Sequence, residues 1–155
     1  MTSRWLVVVA ALAAAALVAA GCGKDDKEKY VEAYDPLNER LLKLGDAVGR
    51  APLEAGTESN ARLAHRFNRY ADDLDRVNRD IAALDTPDDL MDESKALTRA
   101  IGVVIVDLEN VATAAREADQ RRAGAATLSL TDHTNAVNRA QNRLARATGA
   151  AVGPQ

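Results

Sequence analysis

Cys22, His65 and His133 are the only thiol and imidazole side chains in this 155-residue sequence, so thiol and imidazole chemistry has few places to occur. A single Cys excludes an internal disulfide, a CxxCH haem attachment and a Cys-rich zinc site. His133 falls on an apolar helical seam. It is a candidate metal or haem ligand, as in four-helix-bundle cytochromes, or else a core or rim histidine near a helix start. A di-metal carboxylate bundle needs Glu three residues before His. Arg62 and Leu130 hold those places, so the pattern is missing. No Ser/His/Asp or Cys/His constellation and no Gly-rich phosphate loop can be argued from the spacing. The acids Asp80, Asp85, Asp88, Asp89, Asp92 and Glu93 contain no base among them. Calcium would need such ligands wrapped on a loop, whereas a helix start and a solvated face account for them directly. Arg139, Arg143 and Arg146 form one stripe, for which pairing with those acids is the plain expectation. Neither a catalytic group, a cofactor nor a metal is expected.

Cys22 is different, because of what precedes it. Arg4 is followed by 16 apolar residues, from Trp5 to Ala20, ending in Val18-Ala19-Ala20-Gly21-Cys22. That run is short of the ~20 residues a helix needs to cross a bilayer and has the anatomy of an export signal. Small residues directly before the only Cys resemble the lipobox of bacterial lipoproteins, with Ala19 where Leu is the commoner residue. The resemblance implies lipid transfer to the Cys22 sulfur and cleavage before it. It implies a chain anchored in the cell membrane, facing outside the cytoplasm. The same residues also fit an uncleaved anchor, or an ordinary signal peptide cut after Ala20 or Gly21. Residues 1–21 are therefore read as signal, 22–29 as a lipidated charged tether and 30–155 as a helical domain.

Four heptad-like seams organise that domain. Tyr30, Tyr34, Leu37, Leu41, Leu44 and Val48 alternate four and three, the spacing of a helix packed in a bundle. Pro36 either kinks this helix or restarts it; the unbroken seam favours a kink. Residues 49–59 hold two Gly and a Pro and read as a loop, with Thr57 or Ser59 as the next N-cap. Leu63, Phe67, Tyr70, Leu74, Val77, Ile81 and Leu84 define a second helix. Thr86-Pro87-Asp88-Asp89 reads as N-cap, first turn and dipole-stabilising acids of a third. Its seam runs from Leu90 through Ile101 and Leu108 to Ala118. The β-branched run 101–106 stays helical by period, and being apolar all round it implies burial on more than one face. Gly124 fits the residue after the third helix's end. The fourth begins around 127–131 and carries Leu130, His133, Val137, Ala140, Leu144 and Ala147. Gly149 and then Gly153-Pro154 end it. The expectation is all-α: an up-down-up-down four-helix bundle after a signal peptide. Three helices with a loose C-terminal helix is the alternative.

The Leu84-Asp85-Thr86-Pro87 turn between long amphipathic helices, with the lipobox, resembles uncharacterised Ala- and Arg-rich helical lipoproteins of high-GC bacteria. That family brings no catalytic residues to carry over. A net charge of −3 leaves no electrostatic footprint for nucleic acid. The expected function is a non-enzymatic, membrane-tethered binding or scaffold module. Its partner is an envelope protein or wall component. A bundle holding a small apolar ligand or haem is the alternative. If the tether holds one end at the membrane, the opposite tip carries Arg50, Arg116, Arg121 and Arg122, the expected partner contacts.

Overall fold

A computed structural model of the chain describes residues 25–54 and 58–149. The expected signal segment, Cys22, Thr57 and Gly153-Pro154 lie outside the described residues. Four helices and no strands make up what is described: α1 (Asp26–Glu54), α2 (Asn60–Ala82), α3 (Met91–Arg116) and α4 (Gln120–Thr148), with a 3-10 turn at Asp88–Leu90 leading into α3.

The seams become the core. Tyr30, Tyr34, Leu41 and Val48 of α1 are buried with Phe67, Leu74, Val77 and Ile81 of α2. Leu97, Ile101 and Leu108 of α3 and Leu130, Val137 and Leu144 of α4 complete the cluster. Burying each such side chain contributes about 1.5–3 kcal/mol. Successive helices run antiparallel. Lys27 Nζ lies 2.6 Å from Asp89 Oδ2 and donates to the Ala147 carbonyl at 3.4 Å. Thus the α1 start, the α2–α3 turn and the α4 end share one end of the bundle, as up-down-up-down connectivity requires.

α3 is the hub, packed along its length on α2 and α4, while α1 rests on α2 and meets α4 over a much shorter stretch. The loose-tail alternative is thereby overturned: Leu130, Val137, Ala140 and Leu144 are buried, and α1 is the helix with the open flank. The 101–106 run is buried on more than one face, as expected, though not all round. Val103 and Val106 face outward and are exposed, since only the two sides of α3 turned to α2 and α4 are covered.

Several boundaries move. α1 begins at Asp26, inside the expected tether, because the Asp25 carboxylate accepts the Glu28 backbone N–H at 2.7 Å and caps it. The helix runs unbroken through Pro36 and on through Gly49 to Glu54, where a loop was expected. Ala51 is wholly buried one turn after Val48, and that packing extends the seam against the glycine's preference. Ser59 caps α2, as one of the two expected residues, accepting from the Arg62 N–H. Thr86 does not cap α3; its hydroxyl donates back to the Leu84 carbonyl, and a 3-10 turn at Asp88 starts the helix instead.

The α3–α4 boundary moves furthest. α3 ends at Arg116, and Ala118, not Gly124, takes the left-handed conformation, with φ 54°. Ala118 N–H bonds the Ala115 carbonyl and Asp119 N–H the Ala114 carbonyl, the paired bonds of a Schellman motif. Asp119 then accepts the Arg122 N–H at 3.0 Å and opens α4 at Gln120, well before 127–131. Gly124 sits inside the new helix. Gly149 ends α4 with φ 77°, as expected.

Candidate functional site

Asp107 is the group that sequence reasoning missed. It sits one residue before the buried Leu108 on α3, so its side chain is turned into the α3–α4 seam and is only 8% exposed. A buried carboxylate requires partners. His133 Nδ1 lies 2.6 Å from its Oδ2, and the Ser129 hydroxyl donates to its Oδ1 at 2.9 Å. The signal was available: an acid in the middle of an otherwise apolar stretch of α3 must find a donor on a neighbouring helix.

The three residue types are those of a hydrolytic triad, and the geometry is not. In a triad the serine sits on His Nε2, across the ring from the carboxylate. Here Ser129 Oγ is on the same side as Asp107, 3.4 Å from Nδ1. Among the described residues Nε2 has no partner. The ring can donate to Asp107, but it cannot deprotonate Ser129 with the nitrogen that would do so. His133 is a rim histidine, 42% exposed, that pins α4 to α3. No group of three metal-ligating side chains exists among the described residues. His65 faces solvent, as its register predicts.

The far tip is held by a residue that reads as surface in the sequence. Arg66 is buried, with its guanidinium 3.2 Å from the Ala51 carbonyl and 3.3 Å from Glu58. It ties the end of α1 to the entry of α2. Around it the expected contact residues are partly engaged. Arg122 forms an ion pair with Glu117, and Arg116 donates to the Thr113 hydroxyl. Arg50 and Arg121 are exposed. All four lie at the end opposite Lys27.

The open flank between α1 and α4 forms an apolar cleft of about 200 Å³. Its floor includes Leu41, Val48, Leu74, Ile101 and Val137, and its rim Asp46, Thr134 and Asn138. One polar strut closes it toward the Lys27 end: Tyr34 Oη and Gln141 Nε2 both donate to Asn38 Oδ1, at 3.2 and 2.9 Å. Burial raises the Tyr34 phenol far above its ordinary pKa. Burial likewise raises that of Tyr30, a shift countered in part by the nearby Ser94 and Thr86 hydroxyls.

At the Lys27 end the acids do not pair as expected. Asp80 pairs with Arg40 at 3.1 Å and Asp89 with Lys27, both on α1. Arg139, Arg143 and Arg146 make no ion pair within the described residues and are exposed. The correction has a simple cause, for these three arginines point away from the core along the outer side of α4. Among the described residues no helix is long and apolar enough to cross a membrane. Comparison with protein-family profiles, with curated proteins and with solved structures finds no match for this chain.

Proposed function

We propose that the protein is a cell-envelope lipoprotein, held to a membrane outside the cytoplasm through Cys22. It works without catalysis, as a binding or scaffold module. Its far tip, with Arg50 and Arg121 the most available cations, meets another envelope protein or a wall component. The observation that carries the reading is the run of small residues ending in the only Cys, directly after an apolar segment and before a charged one. Two features of the bundle support it. α1 starts four residues after Cys22, and at most ~14 Å of extended chain spans that interval. The Asp107–His133–Ser129 group lacks the arrangement that would activate a nucleophile.

Cys22→Ser tests the anchor. The variant is expected to lose lipid, remain unprocessed and show altered fractionation. If it is cut to the same size and still partitions with membranes as before, the lipoprotein reading is wrong. Crosslinking from native membranes tests the tip. Partner crosslinks are expected near Arg50 and Arg121. Crosslinks concentrated at residues 85–93 would overturn the orientation.

The α1–α4 cleft favours a second reading, a bundle that holds a small apolar ligand. At about 200 Å³ it is below the ~300–1,000 Å³ of usual small-molecule sites. Its lining contains no His, Cys or Met to bind a haem iron. A slender alkyl chain suits that lining better than a haem. Organic extraction and mass spectrometry of the purified protein would reveal a stoichiometric lipid if this reading holds.

A further inference from the structure

We propose that the outer side of the C-terminal half of α4, through Arg139, Arg143 and Arg146, rests on anionic lipid headgroups. The bundle then leans on its α4 flank instead of standing on its end. The inference rests on the membrane-tethered reading for its location, and its test does not require the lipid anchor.

The argument begins with segregation of charge. Helix α4 carries five Arg and one acid, Asp132, in a chain whose net charge is −3. Arg139, Arg143 and Arg146 are spaced four and three, so they share one stripe about 10 Å long. Two of the acids at this end are committed to α1 instead, Asp89 to Lys27 and Asp80 to Arg40, and none of the others forms an ion pair with these arginines within the described residues. Three exposed arginines without partners among the described residues present fifteen N–H donors to phosphate oxygens (five each). Leu128, three turns nearer the tip on the same stripe, is 71% exposed. Asp132 lies on the same stripe between Leu128 and Arg139, so this cationic stretch of α4 is confined to its C-terminal half.

Position then selects the partner. The α4 end lies beside Lys27, close to the start of α1 and hence to the anchor. The end face itself has an acidic excess: Asp25, Asp26 and Glu28 at the α1 start and Asp85, Asp88 and Asp89 in the α2–α3 turn outnumber Lys27 and Lys29, which pair with Asp89 and Asp26. An anionic surface repels that face and attracts the α4 flank. Both lie within reach of the same short tether, so the field turns the bundle onto its side. Each arginine near such a surface adds about 1 kcal/mol, or roughly fivefold in binding, within a Debye length of ~8 Å. Three give on the order of a hundredfold.

The test uses the unlipidated chain from Gly23 onward, which retains every buried residue of the core, from Tyr30 to Leu144. Its cosedimentation is measured with phosphatidylcholine vesicles, with and without phosphatidylglycerol. This chain has 19 basic and 23 acidic residues, so net charge alone opposes binding to anionic vesicles. The expected result is binding only where phosphatidylglycerol is present, abolished by high salt. The triple variant Arg139→Gln, Arg143→Gln, Arg146→Gln is expected to bind about a hundredfold more weakly. A charge-matched control, Arg62→Gln, Arg69→Gln, Arg76→Gln on the outer side of α2, should bind as the parent does. Absence of binding to the anionic vesicles overturns the inference. Equal loss in both triple variants overturns it too, because the effect would then be one of net charge. Capture by a soluble acidic protein, with no vesicle binding, likewise assigns the stripe to a different partner. Failure of the anchor is read separately, from Cys22→Ser, and leaves the vesicle result standing.

Discussion

Exchanging glycine and alanine across the α3–α4 turn tests the least obvious feature of the fold. Ala118 holds φ 54°, where an L-residue costs roughly 1–2 kcal/mol through crowding of Cβ against the following carbonyl. Glycine removes that cost but adds about 0.4–1 kcal/mol of unfolded-chain entropy to be lost. Ala118→Gly is therefore expected to stabilise the bundle by about 0.5–1 kcal/mol. Gly124 lies inside α4, and a Cβ built there meets nothing within 4 Å. Gly124→Ala should add a further ~0.5–1 kcal/mol, since glycine is the poorer residue in a helix interior. Together the two raise stability by about 1–2 kcal/mol, or a few degrees in Tm for a chain of this size. Urea unfolding followed by circular dichroism reads both, with the slope unchanged. The signs are diagnostic. A helix running on to Gly124 would put Ala118 in its interior and Gly124 at its left-handed end. Both substitutions would then destabilise. That outcome would refute the observed boundary and the Schellman assignment.

Removing His133 leaves Asp107 buried with Ser129 alone. His133→Ala should cost about 1.5–3 kcal/mol, and the double variant with Asp107→Leu should recover part of it, as measured by a double-mutant cycle. Arg66→Ala should cost a similar ~1.5–3 kcal/mol and loosen the tip, visible as faster amide exchange in the first turn of α2. Leu108→Ala, at a wholly buried hub position, should cost about 2–5 kcal/mol in denaturant unfolding; a loss below half of ~1 kcal/mol would mean the site faces water. The pKa values of Tyr30 and Tyr34 are raised in the folded state, so their contribution is complete below the unfolded value near ~10 and is lost as pH climbs beyond it. Tyrosinate absorbance should accordingly rise together with loss of helicity above pH ~10, and that coupling should weaken in Tyr34→Phe.

The repeating four-three spacing of apolar residues carried most of the fold. A helix has 3.6 residues per turn, so residues so spaced share one side, and four such sides bury one another only as a bundle. The Ser59 cap, the turn after α2 and the αL Gly149 were also legible, because each depends on a few neighbouring residues. Where local signals misled, packing had overruled them. Ala51 drew α1 through a glycine and a proline, and the cap at Asp119 placed a left-handed turn on an alanine while a glycine waited six residues on. The hydrogen bonds from His133 and Ser129 to Asp107 span 26 and 22 residues, a separation that no periodicity encodes. Charge pairing behaved likewise. The sequence by itself determined that acids of residues 80–93 and arginines of α4 share an end of the bundle. Only the tertiary structure decided that α1 intervenes with Lys27 and Arg40, because pairing depends on which side chains come within about 4 Å once the helices are rotated into place.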